Sequence, residues 1–281
     1  HFAYKSGKER SKKEKEMKLI KPSFEILEQS PGIQGVKKRI ELAGRTCYKS
    51  EDKITDTSCE EFVNRMVNSG HGAMLEHGTI YLMISDLVDD FESIYEDFKQ
   101  NKYSKTNFDG SYLYVTTNYR VLVENDWLYA LAYQCEPTVL HEKRITVKFI
   151  CDRGVSHEFV RHRTMSFAQE STRYCNYSKD KFGKEITCII PPYLINEEEL
   201  EFEEDLAILE SIYFKWMNKY GYVAQEARYF LPTGVKTELV MTGFVSDWEH
   251  FFKLRCHSTA HPQARELAVP LHQEFLNRNY L

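Results

Sequence analysis

The stretch Arg161-His162-Arg163-Thr164-Met165-Ser166-Phe167-Ala168-Gln169-Glu170-Ser171-Thr172-Arg173-Tyr174 gathers three arginines, a histidine and two serines in a chain of net charge −5. Positive charge collected this densely in an acidic protein points to an anion. Arginine's planar fork matches phosphate oxygens in pairs, and neighbouring hydroxyls can take the oxygens that remain. The bland reading is a solvated basic face. The position argues for the other. Arg144-Ile145-Thr146-Val147-Lys148-Phe149-Ile150-Cys151 reads as a strand from its β-branched content, it ends at Asp152-Arg153-Gly154, and a short helix is expected over His157 to Arg163. Ligands in proteins that mix strands and helices tend to bind where strands end.

Working outward, Val36, Ile40, Leu42 and Ala43 give a helical pattern over residues 33–48, and a second helix is expected over 58–69, closing at Gly70. Thr79-Ile80-Tyr81-Leu82-Met83-Ile84 reads as a buried strand, and Tyr112 to Val123 as another. An acidic segment, Asp86 to Asp97, lies between them. The clearest helix is expected over 196–220, where Phe202, Leu206, Leu209, Tyr213, Trp216 and Tyr220 form one apolar stripe behind Asn196 as a natural N-cap. Further helices are expected over 221–230 and 246–255, with a last one running toward Leu276. There is no internal repeat and no Pro/Gly/Ser-rich linker. The fold class is α+β: a small, largely antiparallel sheet surrounded by helices, in a single domain over 17–281. Residues 1–16, rich in lysine, read as a disordered basic tail or an expression remnant.

Apolar residues at 42% and charged residues at 28% fit a globular chain, and the acidity argues against a nucleic-acid binder. Eighteen tyrosines suggest broad, partly polar surfaces such as pockets or subunit contacts. No apolar run approaches the roughly 20 residues that span a bilayer, so no membrane partner is expected. Seven scattered cysteines with no C-x-x-C pair suit a reducing compartment, and a cytoplasmic location is expected.

The order Arg-His-Arg, seven residues, Ser in 161–171 resembles the signature of the flavin-dependent thymidylate synthases. Four further elements resemble that family in the same order. They are Gly44-Arg45-Thr46-Cys47-Tyr48; His71 with Glu76-His77; Ala227-Arg228-Tyr229-Phe230-Leu231-Pro232; and Met241-Thr242-Gly243 with Phe251-Phe252-Lys253-Leu254-Arg255, followed by His261-Pro262-Gln263. The resemblance covers most of residues 30–275, with the segment of about 85–143 atypical for the family.

The resemblance implies FAD-dependent reductive methylation of dUMP to dTMP, with methylene-tetrahydrofolate as carbon donor and NADPH as reductant. It also implies a homotetramer whose active sites draw on several subunits. Arg255 matches the arginine set against the pyrimidine edge, where a fixed cation stabilises negative charge on the ring. Glu158, Phe159, Val160 and Arg161 match one wall of the dUMP site, and Gln169 and Glu170 the loop along the pyrimidine. Ser171, Thr172, Arg173 and Arg228 match the phosphate end. Arg161, His162, Arg163, Gln169, His71, Ala73, Phe244, Ser246 and His250 match positions around FAD, where a cation favours the anionic reduced flavin. The chain departs from the pattern at Ala168 and Gln169, where the family commonly has Asn then Glu. It departs again at Phe244, where an asparagine is usual, and at Ala73, where a small hydroxyl is usual.

Three rival readings compete. The main alternative is a non-catalytic nucleotide- or RNA-binding module that uses 161–174 with Phe167, Tyr174 and Tyr177 interleaved. His257 and His261 have the i, i+4 spacing of helical zinc ligands, but Pro262 and the lack of a glutamate between them leave no metal expected. Cys175 could act as a nucleophile, although no histidine base follows it, and a small packed side chain is the simpler reading.

Overall fold

Strand β6 (Arg144–Asp152) is buried along nearly its whole length, because it lies between two partners with helices over both faces. The computed structural model describes residues 18–281, so the expected tail, 1–16, lies outside the described residues. In order of space the sheet runs β2 (Ser23–Leu27), β6, β9 (Lys236–Phe244) and β7 (Ser166–Gln169), antiparallel throughout. Strand alternation sorts its side chains. Ile145, Val147, Phe149, Leu239 and Met241 face one way. They pack there on α6 (Arg153–Phe159), α9 (Val245–Arg255) and α10 (Pro262–Asn277) through Phe159, Trp248, Phe251, Leu267 and Phe275. Ala168 and Val240 face the other way, onto Ala43 of α1 (Gly32–Tyr48).

A second sheet, antiparallel in the order β3 (Thr79–Ser85), β5 (Tyr112–Asn118), β4 (Lys105–Phe108), lies beyond α1. Its apolar face meets α1, α2 (Ser58–Asn68) and α4 (Phe91–Gln100): Ile80, Leu82, Ile84, Leu113 and Val115 pack with Val36, Ile40, Phe62, Ile94 and Phe98. Segment 85–143 therefore shares a core with the helices that precede it and is not an appendage. The strand expected over 112–123 stops at Asn118, whose side chain accepts the Val121 N–H and caps α5 (Tyr119–Glu124).

The third unit pairs β1 (Lys18–Ile20) in parallel with β8 (Thr187–Ile189), next to α7 (Glu199–Asn218). Leu206 and Tyr213 of the expected stripe are buried against Tyr177, Ile186 and Val235. The helix begins three residues later than expected: Leu194 N–H bonds Pro191 O and Glu198 N–H bonds Ile195 O, so Asn196 sits within turns. The helix expected over 221–230 contracts to α8 (Ala224–Ala227) and a 3-10 turn, Arg228–Phe230, after Gly221 at φ +73. Among the described residues the expected single sheet is thus three small ones, two of them antiparallel, and the mixed α and β character holds. No described helix is long and apolar enough to cross a membrane.

Close approach of α1 to α2 depends on Gly44. A Cβ there would lie 2.4 Å from Phe62 Cζ, a contact that must move one helix or the ring. We expect Gly44→Ala to cost about 1–3 kcal/mol of packing, offset in part by about 1 kcal/mol of helix propensity. The check is a thermal melt, and an unchanged midpoint would mean that Phe62 turns aside freely.

Candidate functional site

Asp152 ends β6 and caps α6, its Oδ1 taking the Val155 N–H at 2.8 Å. The helix therefore starts at Arg153 and is over by Phe159, which is fully buried against Phe149 and Phe251. The helix expected over 157–163 is displaced accordingly, and Arg161-His162-Arg163 form turns instead, with His162 N–H on Phe159 O and Met165 N–H on His162 O. The turn sorts the three side chains. Arg161 and Arg163 are exposed, and His162 is buried.

His162 lies 5.0 Å from the Phe251 ring and 5.8 Å from the His250 ring. Burial, and then the Arg255 and His250 charges, lower its pKa to about 4, so the imidazole is neutral at pH 7. Neutral, it can accept, and Arg255 Nε donates to its Nε2 at 3.1 Å. Arg255 Nη1 donates to Glu158 Oε2 at 2.7 Å, and Nη2 to the Glu158 carbonyl at 2.7 Å. One hydrogen on each terminal nitrogen stays uncommitted among the described residues. This is a guanidinium clamped in one orientation beside the basic turn, with donors left over for something else.

Strand β7 sends its neighbours to opposite faces. Gln169 Nε2 reaches Ser156 Oγ at 2.8 Å and Thr237 Oγ1 at 3.2 Å, on the α6 face. Glu170, 2% exposed, turns to the α1 face and takes Lys236 Nζ at 2.8 Å. Gln169 and Glu170, expected to line one loop together, thus point apart, and an ion pair already holds the Glu170 carboxylate. The next turn is tied to α1 by Ser171 N–H on Cys47 O at 2.9 Å. Thr172 is buried, while Arg173 is exposed over the Tyr174 ring, which leans on Tyr48 at 5.1 Å.

The family model for the thymidylate synthase complementing protein matches residues 95–278, more than half of the chain and most of segment 85–143. The chain belongs to this family. A flavin-dependent thymidylate synthase of Pyrococcus furiosus is 33% identical over 131 residues, 46% of this chain and 52% of that protein. The one from Pyrococcus abyssi is 33% identical over 132 residues, 47% and 53% of the two chains. The chain therefore spans about half the length of these curated relatives. A Corynebacterium aurimucosum relative of the same name aligns over 248 residues at 25% identity, covering 82% of this chain and 72% of its own. Among solved structures, a UMP/dUMP methylase from Streptomyces cacaoi bound with 5-Br dUMP covers 93% of both chains at a TM-score of 0.43 and 15% identity.

The remaining positions that the sequence resemblance singled out divide between the motif and more distant places. His71 and Ala73 are exposed at α3 (Gly72–Leu75), which packs on α1 and β7 beside the motif. His77, six residues on, is fully buried in the sheet layer, its Nδ1 2.8 Å from Thr242 Oγ1. Burial and the Arg144 charge lower its pKa to about 3. Phe244 ends β9 with its ring 5.5 Å from the Arg144 guanidinium, and Ser246 bonds Glu142 through both N–H and hydroxyl. His250 is exposed beside His162. Along α9, Ser246 and Arg255 stand about 13 Å apart at roughly 1.5 Å per residue and on opposite faces of the helix. Val160, at the end of α6, packs against the Phe159–Phe251 core. Arg228 is exposed on the turn that packs on α7 and α8, and no described hydrogen bond, ion pair or ring contact brings it to Arg173 or Arg255.

Neither minor rival gains a site. Among the described residues no group of three or more His, Cys, Asp or Glu side chains is placed to hold a metal ion, and His257 turns back onto Thr259. Cys175 is buried, and burial with the nearby Glu170 charge pushes its thiol up to about 12, away from the thiolate a nucleophile needs.

The sequence reading passed over a charged network behind the motif. Glu238 Oε1 takes Lys49 at 2.5 Å and Lys236 at 2.7 Å, and its Oε2 takes Lys148 at 2.6 Å. Lys236 and Glu238 are i, i+2 on a strand, hence on one face, and that spacing was the available signal.

Proposed function

We propose that this protein carries out the FAD-dependent reductive methylation of dUMP to dTMP, taking the carbon from methylene-tetrahydrofolate and the reducing equivalents from NADPH. The observation that carries the proposal is the clamped Arg255. Uracil C5 attacks an electrophile only when negative charge builds on the ring. A cation fixed at the N3/O2 edge stabilises that charge without having to reorganise. Its hold on neutral His162 and on Glu158 supplies the fixity, and its two uncommitted N–H hydrogens supply the contact. Arg161 and the backbone of Glu158, Phe159 and Val160 then form one wall of the nucleotide site; the Phe159 ring belongs to the core.

Ser171 and Arg173 hold the phosphate, Thr172 contributes backbone, and Arg228 completes the site from a second copy of the chain in a homotetramer. The exposed donors around β7, Arg161, Arg163, His71 and His250, fit an anionic flavin nucleotide, while the Gln169 amide N–H groups are taken by Ser156 and Thr237 and leave its oxygen for the cofactor. Ala73 and Phe244 offer no side-chain donor, so those positions hold the cofactor by backbone and ring contact. When bound, flavin supplies the electrons that reduce the transferred one-carbon unit to a methyl group. The seven unpaired thiols support a cytoplasmic location.

The test is an absorbance spectrum before and after adding FAD, followed by NADPH oxidation with and without dUMP. Flavin bands with dUMP-stimulated oxidation are expected; a protein that takes up no flavin overturns the proposal. Arg228→Ala should raise the KM for dUMP about tenfold to a hundredfold, the range for losing one charged hydrogen bond. Initial rates against dUMP concentration measure this, and an unchanged KM removes Arg228 from the phosphate site.

A further inference from the structure

The turn from Glu170 to Cys175 is tightly self-bonded. Tyr174 and Cys175 N–H both return to Ser171 O, and Arg173 N–H returns to Ser171 Oγ. Its placement on the protein depends on few ties. Ser171 N–H reaches Cys47 O at the end of α1, Glu170 N–H reaches Glu238 O on β9, Tyr177 O–H makes a long 3.5 Å contact to Glu170 Oε1, and the Glu170 carboxylate reaches Lys236 at 2.8 Å. The last tie is buried: side-chain exposure is 16% for Lys236 and 2% for Glu170. Lys236 also meets Glu238, which Lys49 joins back to the end of α1, two residues after Cys47. One charged network thus holds both bodies on which the turn rests.

We propose that Lys236 is a positioning residue for the phosphate end of the nucleotide site, an inference that rests on the dUMP reading above. Lys236 touches neither Ser171 nor Arg173 among the described residues. It acts through Glu170, whose side chain fixes the residue immediately before Ser171. A cavity of about 230 Å³ adjoins this pair, lined by Lys49, Glu170, Tyr177, Lys181, Thr187 and Lys236. Without its cation, the buried Glu170 carboxylate has space to swing away from β9, and Ser171 and Arg173 move with it. Displacement of a binding group by about an ångström costs on the order of a hundredfold in the function it serves.

The experiment measures dUMP and FAD dissociation constants for the full chain and for Lys236→Met and Lys236→Arg, with deoxyuridine as a phosphate-free competitor. If the unaltered protein binds no dUMP, the nucleotide reading itself fails, whatever Lys236 does. If it binds, Lys236→Met should weaken dUMP about tenfold to a hundredfold. FAD and deoxyuridine should stay within about twofold, and Lys236→Arg should recover most of the loss. Unchanged dUMP affinity, or parallel losses for dUMP, deoxyuridine and FAD that Lys236→Arg does not repair, overturns the role. Should Lys236→Met not fold, the neutral and near-isosteric Glu170→Gln carries the same test, with the same expected split between dUMP and deoxyuridine.

Discussion

Arg255→Ala should lower dTMP formation by about a hundredfold to a thousandfold, the range for removing one preorganised donor from developing negative charge, while flavin remains bound. The split follows from the geometry. The guanidinium points at the basic turn and is held there by His162 and Glu158, whereas the exposed arginines proposed for the cofactor, Arg161 and Arg163, project from the turn itself. Removing Arg255 leaves the half-buried Glu158 without its cation and the buried His162 without a donor, but a neutral imidazole strands no buried charge. The fold should therefore survive. Arg255→Lys is the sharper variant, since an ammonium keeps the charge but cannot bridge His162 and Glu158 together, and it should recover little. Single-turnover product formation with flavin absorbance in the same sample reads both quantities. Near-normal turnover in Arg255→Ala would end the assigned role.

Glu238→Ala should destabilise the protein by about 3–5 kcal/mol, the cost of breaking a buried charge pair from one side. Lys49, Lys148 and Lys236 all lean on this carboxylate, which is 8% exposed, and its loss leaves three ammonium groups facing Glu170 and Glu51. The same network makes stability depend on pH. Burial alone would raise the Glu238 pKa, but the Lys236 charge and hydrogen bonds from Lys148, Lys236 and Lys49 outweigh it and hold the carboxyl well below the usual range. Its contribution is therefore present above the unfolded value of about 4.3 and lost as pH falls toward the folded value. His162, lowered to about 4, and His77, lowered to about 3, act in the same direction. Each is neutral when folded, so below about 6.5 the unfolded chain takes up the extra proton and gains. Stability should be level between about pH 7 and pH 8 and fall progressively below 6.5. Glu238→Ala should lose the part of that fall below about 4.3. Denaturant midpoints from pH 8 down to about pH 2 check both statements, and a flat profile would contradict them.

Where one residue pattern dominated, the sequence was a good guide. Helices α1 and α2 and strands β3 and β6 lie within a residue or two of expectation, since their periodicities have no competitor. Expectation failed where one polar side chain ended an element. Asn118 turns a strand into a helix, and Asp152 starts α6 early enough that Arg161-His162-Arg163 become a turn. The residues of the candidate site could be named from the sequence, and their arrangement could not. The motif suggested an anion site, but spacing alone does not join Arg255 to His162, 93 positions away, and the resemblance set the two at different ligands. Lys49 and Glu238, 189 positions apart, had no local signal at all. The opposite facing of Gln169 and Glu170 did follow from strand alternation, once that strand is known to exist.

The pairing of β6 with β9 bears on how the chain is made. Strand β6 is complete at residue 152, and its principal partner starts at residue 236. At about 5–20 residues per second on the ribosome, roughly 80 residues take several seconds or more to follow. Through that interval Ile145, Val147 and Phe149 have neither β9 beside them nor α9 and α10 over them. A nascent chain of this kind presents a sticky, unpaired strand edge to whatever is nearby. Yield in cells should then track chaperone supply and growth temperature more closely than the stability of the finished fold.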